Sequence, residues 1–575
     1  MTPQEQEQSH WLDKYASNYA EWKLSEDADG TQLFKRPLGL VETSFDSDGA
    51  YYGGRADMTA LFTLAVQHKL SKSELRRKIA LAWTSLRLQH PLLLSRVTDD
   101  PEIGRRGFAV DVPSSRDSAI QEVEKSIVWI EEAYENVDEK ELYHHAYNVT
   151  RIIEPTKCLS KFHVLPLRQL PDGTYELRFL IVIAHQISDG LSAYSWFSHF
   201  IRIFNQPSQD ILADIESLRM PEKIRKFLPA AQEDLYPPIA GNKARQRWFW
   251  ALIRVLRHVK KGGLPPTFTN PLRREKRLEE PVPLEPKFNK IFDYSPSTRP
   301  PMSCGHVSAS LSPAASARLI SLCRSANVSI GAGCFALAGL AMMAIHEKRS
   351  PSTNHPPFTA SFPLNPRAFF VNPPPPDSCM LAFSEGIVMP FLSSDLPVEG
   401  RFKLVAKHAN RELRVYQKRL KGKGKTGTAG ILDKGSPGRL LATGYVAQIE
   451  RVEAKLPPSR RSPSFQNPQG SLAPSTAGFG ATCGVSSIGP LAAFFKRGTY
   501  DVQNLGDKDF AADFRDVKIG VRAREDEFLV GSSTSAEGIV GFGVSYDLNS
   551  ISAEAAEVWR ETIEGLLEGR EVARL

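Results

Sequence analysis

Two hydrophobic periods divide the chain. Residues 179–184, Phe-Leu-Ile-Val-Ile-Ala, are apolar at every position, which predicts a strand covered on both faces. Leu191, Tyr194, Phe197 and Ile201 then recur at three- and four-residue spacing, the stripe of a helix. Between them lies His185-Gln186-Ile187-Ser188-Asp189-Gly190, so one imidazole stands at a strand-to-helix corner. A hairpin formed by 162–167 and 175–184 delivers it, joined through Pro171-Asp172-Gly173, residues that favour a turn. Upstream, a strand over 58–66 sets Met58, Phe62 and Leu64 on one face. A helix follows with Leu75, Ile79, Ala82, Trp83 and Leu86 apolar and a capping box of Ser71 and Glu74. A strand near 92–97 and an acidic helix over 121–147 complete this half.

The second half opens with a strand over 306–311, then Ser312 and Pro313 as N-cap and first-turn proline. An apolar helix over 330–346 and strands over 358–364 and 386–391 follow. Phe402, Val405, Ala409, Leu413 and Tyr416 share one face of a helix over 399–420. Strands over 514–521, 527–531 and 539–546 lead to a last helix with Val558, Trp559, Thr562, Ile563 and Leu566 spaced for packing. Strands and helices mixed in two similar halves place the fold in the α/β class. The 575 residues, 41% hydrophobic, suffice for two cores of roughly 200 residues each. The expected organisation is an N-terminal lobe over 1–240, a crossover linker rich in proline and charge over 241–303, and a C-terminal lobe over 304–575. Gly, Ser, Pro and Lys/Arg-rich stretches over 421–438 and 457–478 read as insertions.

A net charge of +7 and a pI near 8.9 are mildly basic. They suit a polyanionic small molecule and do not imply nucleic-acid binding. Six scattered cysteines without metal-ligand spacing read as reduced thiols, and no metal is expected. The polar, acidic first ten residues and the lack of an apolar run of about 20 residues make the cytoplasm the expected compartment.

A base that removes a proton from an alcohol or amine needs its ring fixed in one tautomer with a nitrogen left free. The corner at His185 supplies that geometry, with Asp189 as a structural brace and Gly190 permitting a backbone angle that other residues resist. This run, Ala184 to Ser192, resembles the H-x-x-x-D-G acyltransferase superfamily: chloramphenicol acetyltransferase, the plant BAHD acyltransferases, alcohol acetyltransferases and the condensation domains of peptide synthetases. It is especially similar to the condensation pattern H-H-x-x-x-D-G, with Ala184 replacing the first histidine and His185 matching the catalytic one. Leu86 to Leu93, Pro363-Leu364-Asn365-Pro366-Arg367 and Val485-Ser486-Ser487-Ile488-Gly489-Pro490 resemble further segments of these enzymes, in the same order. The plant D-F-G-W-G signature is absent, with Asp513-Phe514-Arg515-Asp516 in a comparable position. The nearest style is that of fungal trichothecene O-acetyltransferases.

The resemblance implies two chloramphenicol-acetyltransferase-like lobes with a tunnel at their interface. It also implies direct acyl transfer from acyl-CoA, acetyl-CoA first among the donors, to a hydroxyl of a specialised metabolite, with no bound cofactor and no acyl-enzyme. Ser486 or Ser487 would hold the oxyanion, though a turn before Gly489-Pro490 explains both equally. Arg367 either pairs with Asp189 or lies on the surface. Ten Lys or Arg against one acid between 401 and 425 make Lys418, Lys421 and Lys423 donor-contact candidates, against the plainer reading of a solvated basic face. The basic, aromatic segment 245–262 is read as a helix packed at the lobe junction, with peripheral membrane contact as the alternative. A monomer is expected. Two rival functions remain: a condensation-type enzyme using a carrier-bound donor, and a non-catalytic binding protein.

Overall fold

A strand without a polar face needs layers on both sides, and Tyr175–Ile183 has them. In the computed structural model, residues 11–27, 29–100, 105–262, 266–295, 302–350, 352, 354–370, 372–384, 386–416, 436–461, 467–468 and 481–568 are described. A six-stranded sheet runs in the order Phe510–Val521, Met58–His68, Tyr175–Ile183, Ser160–Val164 and Val128–Trp129, with Arg168–Gln169 also paired to Tyr175–Ile183. One side of this sheet carries Lys72–Gln89 and Gly190–Phe204, whose Trp83, Phe197 and Phe200 meet Phe62, Phe162 and Phe179 in the first core. The other carries Glu139–Asn148, whose Leu142, Tyr143 and Tyr147 pack with Leu61 and Leu180.

A second six-stranded sheet runs Cys304–Ser310, Val540–Asp547, Phe528–Thr534, Cys483–Pro490, Phe358–Ser361 and Ile387–Met389. Its core holds Ile330–Arg349, Val398–Val415 and the fully buried Trp559 of Ala553–Gly565. Ile330–Arg349 is, among the described residues, the one helix long and apolar enough to cross a membrane, and 72% of that apolar window is buried in the protein. A four-stranded sheet, Lys23–Glu26, Gln32–Pro37, Arg105–Asp111 and Arg96–Asp100, lies in the N-terminal part.

The boundary expected at 303/304 does not separate the two large sheets. Phe510–Val521, from the C-terminal segment, pairs antiparallel with Met58–His68 in the first sheet, from Phe510 opposite His68 to Val521 opposite Met58. Nor is 241–303 only a linker, since Lys243–Gly262 is helical and buries Phe249, Trp250 and Ile253 with Tyr445 in a third core.

Local signals set the individual elements. Ser71 and Glu74 form their capping box, with Ser71 N–H donating to Glu74 Oε2 at 2.8 Å. Ser312 caps the helix that Pro313 begins, and Gly173 turns the hairpin at φ 84°. Four expectations are corrected. The acidic helix over 121–147 is two helices, Arg116–Ser126 and Glu139–Asn148, because Ile127 and Ile130 are buried and Val128–Trp129 joins the sheet beside Ser160–Val164. The strand near 92–97 begins as a 3-10 turn, Pro91–Leu94, and only Arg96–Asp100 is extended. The stretch 421–438, of which 421–435 lie outside the described residues, ends in the unforeseen helix Pro437–Lys455. Val558 faces solvent.

The helix Leu40–Tyr51 was also not foreseen, because it buries Glu42, Asp46 and Asp48 rather than an apolar stripe. Each carboxylate meets a cation, and the Arg36–Glu42 pair is 2.7 Å apart and 0% and 3% exposed, with the guanidinium 4.7 and 5.0 Å from the ring centroids of Trp22 and Phe108. Glu42→Ala should therefore cost about 3–5 kcal/mol, since it leaves a buried guanidinium without its counter-charge. The joint change Arg36→Met/Glu42→Leu should cost less, and urea unfolding of the two variants checks the difference.

Candidate active site around His185

Past Ile183 the chain turns sharply. Ala184 N–H donates to Leu159 O, Ile187 N–H to Ala184 O, and Asp189 then caps Gly190–Phe204. The cap is reciprocal: Ser192 N–H donates to Asp189 Oδ1 at 2.9 Å, and Asp189 N–H to Ser192 Oγ at 2.7 Å. The second oxygen, Oδ2, accepts from Arg367 Nη1 at 2.7 Å and from Met380 N–H at 3.0 Å. Arg367 is buried and also donates to Ser378 O at 2.5 Å. Its own place is set by Asn365, which caps the short turn Pro366–Phe369. Of the alternatives for Arg367, the geometry is that of the Asp189 partner, not of a surface arginine.

This bracing leaves the imidazole of His185 free of Asp189 and in contact with other groups. Its ring stacks on Phe45, with centroids 4.0 Å apart and planes within 1°, and its Nδ1 lies 3.8 Å from Cys379 Sγ. Burial pushes the His185 pKa down to about 4; a hydrogen bond to its own backbone carbonyl works the other way, and the charge of Arg524 adds to the lowering. The imidazole is therefore neutral over the physiological range. The Cys379 thiol is raised well above its ordinary value, by burial first and the Asp189 charge second. It stays protonated beside the ring.

Phe45 links the site to a charged cluster. Lys455 Nζ and the Arg524 guanidinium lie 5.5 and 5.6 Å from its ring centroid, and both pair with Asp48, at 2.5 and 2.8 Å. Burial lowers the Lys455 pKa to about 7 despite the adjacent carboxylate. Gln186, next to the histidine, is 1% exposed, and neither polar atom of its amide has a hydrogen-bond partner among the described residues.

The two serines part company. A methyl group at Gly190 would come within 3.3 Å of Ile488 Cδ1, and Ile488 packs on the first core. Val485 is buried in the second core, and Ser487 Oγ would be 3.5 Å from a methyl group at Gly331, in the apolar helix. Alternation along Cys483–Pro490 puts Ser486 on the side opposite Val485 and Ser487. Ser487 is exposed and lies beside Gly331 of the apolar helix. Lys418, Lys421 and Lys423 lie outside the described residues. Upstream on the same basic segment, Lys407, Asn410, Arg411, Arg414 and Val415 line a cavity of about 410 Å³. His163 is buried with Nδ1 3.0 Å from Leu180 O, in keeping with a structural role.

The sequence reading passed over Phe45, Asp48, Cys379, Lys455 and Arg524. Arg524 carried a signal, a cation just after a strand, and Lys455 ends a segment whose Leu441, Tyr445 and Ile449 recur at helical spacing.

The trichothecene 15-O-acetyltransferase of Fusarium sporotrichioides superimposes on 96% of this chain and 98% of its own, with a TM-score of 0.63 and 13% identity. The chain has the two-lobed, condensation-type acyltransferase fold. A four-domain nonribosomal peptide synthetase matches 95% of this chain over 33% of its own, with a TM-score of 0.52 and 11% identity. The epimerization domain from the third module of tyrocidine synthetase B matches 95% of this chain and 98% of its own, with a TM-score of 0.50 and 11% identity. No family model matches the sequence, and neither does any curated protein sequence.

Asp189→Asn preserves the cap acceptor but removes the charge that Arg367 faces. It should lower stability by about 3 kcal/mol or more, the scale of a broken buried pair, measured by denaturant unfolding. An unchanged midpoint would mean that solvent reaches the pair.

Proposed function

We propose that this protein transfers an acyl group from a thioester to a hydroxyl of a small molecule, with His185 as general base. The observation that carries the reading is a neutral imidazole at the strand-to-helix corner, stacked on Phe45 and left free because Arg367 and the helix cap occupy Asp189. The free ring nitrogen takes the hydroxyl proton as the acceptor oxygen attacks the thioester carbon, giving a tetrahedral oxyanion. When that intermediate collapses, the C–S bond breaks and the imidazolium returns the proton to the departing thiolate. Ser486 Oγ or backbone N–H groups would hold the oxyanion. No covalent acyl-enzyme is required.

Coenzyme A is the proposed carrier of the acyl group. Support comes from the cavity lined by Lys407, Arg411 and Arg414, three cations suited to phosphate oxygens. A carrier-bound donor is the second reading, favoured by the likeness to peptide-synthetase domains.

With acetyl-CoA and a panel of hydroxyl-bearing small molecules, thiol release should follow acceptor addition. His185→Ala should lower the rate by about 10²–10⁴-fold with the fold intact by circular dichroism; undiminished turnover would remove His185 from the mechanism. Because protonation disables the base, kcat/KM should lose activity only as the pH falls toward about 4. An acid limb near 6.5 would indicate an imidazole in contact with water.

Arg411→Ala/Arg414→Ala should raise KM for acetyl-CoA about a hundredfold, the loss of two charge-assisted contacts. It should leave turnover with acetyl-N-acetylcysteamine, which has no phosphates, unchanged. Reaction with a carrier-bound acyl group alone would replace the first reading by the second.

A further inference from the structure

The helix Lys243–Gly262 has two apolar faces, and the fold uses one. Phe249, Trp250 and Ile253 are buried against Pro437–Lys455, and Arg257 on the same side pairs with Glu450 at 2.6 Å. Trp248, Val255 and Val259 are 66%, 57% and 66% exposed. With the half-buried Leu252 they recur at four-, three- and four-residue spacing, and so lie within an arc of roughly 60° at 3.6 residues per turn. Single exposed apolar residues are ordinary on a protein surface, but a continuous stripe headed by tryptophan is not.

The charge beside this stripe says what covers it. Residues 243–262 contain seven Lys or Arg, one His and no acid. The exposed Arg245 flanks this stripe on one side, and the exposed Arg247 and His258 flank it on the other. A stripe of Trp and Val bordered by cations matches the boundary of a lipid leaflet, where the indole sits at headgroup depth and the cations meet phosphates and carboxylates. An acidic protein groove would match the charge, but it has no counterpart to an indole flanked by valines along three turns of helix.

We propose that the outer face of Lys243–Gly262 docks this protein on a membrane surface bearing anionic headgroups. The inference does not depend on the reaction at His185.

Flotation of the full-length protein with phosphatidylcholine vesicles, with and without phosphatidylserine, tests it. The protein should float with the anionic vesicles, progressively less as salt is raised, and its tryptophan emission should shift to the blue. Trp248→Ser/Val255→Ser/Val259→Ser changes only exposed side chains, so it should keep the wild-type melting temperature while binding falls about tenfold or more. Arg245→Gln/Arg247→Gln should weaken binding to the anionic vesicles, by roughly fivefold for each charge removed. The proposal is overturned if the wild type floats with neither vesicle, or if the triple serine variant floats as well as the wild type. Self-association that the serine variant abolishes, without any flotation, would also overturn it and assign the face to a second copy of the chain.

Discussion

Asp189 joins the two halves of the site through one carboxylate. Its Oδ1 satisfies the first turn of the helix behind His185, while its Oδ2 takes Arg367 and the backbone of Met380 from the second half. Burying such a pair has a desolvation cost that the Coulomb attraction offsets only when the remaining lone pairs and protons are also satisfied. Here both oxygens are in use and the guanidinium also holds Ser378 O, while Arg367 Nε has no hydrogen-bond partner among the described residues. The same network sets Ser378, Cys379 and Met380 against the corner, so Cys379 reaches the imidazole as a consequence of where Asp189 points. A carboxylate committed to these contacts cannot also act as the partner of the histidine ring, which fits Asp189 as a brace.

The chemistry of His185 follows from what is left. Without a carboxylate beside it, burial dominates and keeps the ring neutral. The stack on Phe45 fixes its plane without adding charge. The cations nearest that phenyl ring are already engaged, since Asp48 holds both Lys455 and Arg524.

The corner itself was legible because its determinants are local: a run apolar at every position, a histidine, an N-cap and an amphipathic helix within some thirty residues. The Arg367 alternative, by contrast, needed a contact spanning 178 positions, which one sequence does not reveal. Leu40–Tyr51 was invisible for a different reason. Its buried residues are largely acids and serines, so the usual rule that charge marks the outer face inverts. That inversion is stable only because Arg36, Arg106, Lys455 and Arg524 reach in from elsewhere. Ser486 and Ser487 could not be distinguished because neighbouring residues of a strand point opposite ways, and the face of Cys483–Pro490 depends on which core Val485 joins. The break in the acidic helix was readable in principle at Asp138, whose side chain accepts from Lys140 and Glu141 N–H as an N-cap.

Two kinds of contact fix the halves to each other, and they do different work. The strand Phe510–Val521 belongs by sequence to the second half and by pairing to the first, with a backbone ladder against Met58–His68. Such a ladder resists separation but is permissive about side chains, and it shifts register between Phe514 and Asp516 without breaking. The Asp189–Arg367 pair is a single point, but it tolerates little displacement because a buried charge without its partner is costly. The ladder therefore holds the sheets together while the ion pair selects the one arrangement in which Gly190 meets Ile488. That division explains why the residues closest to the imidazole come from segments as distant as 45, 185, 379 and 524 and still form one site.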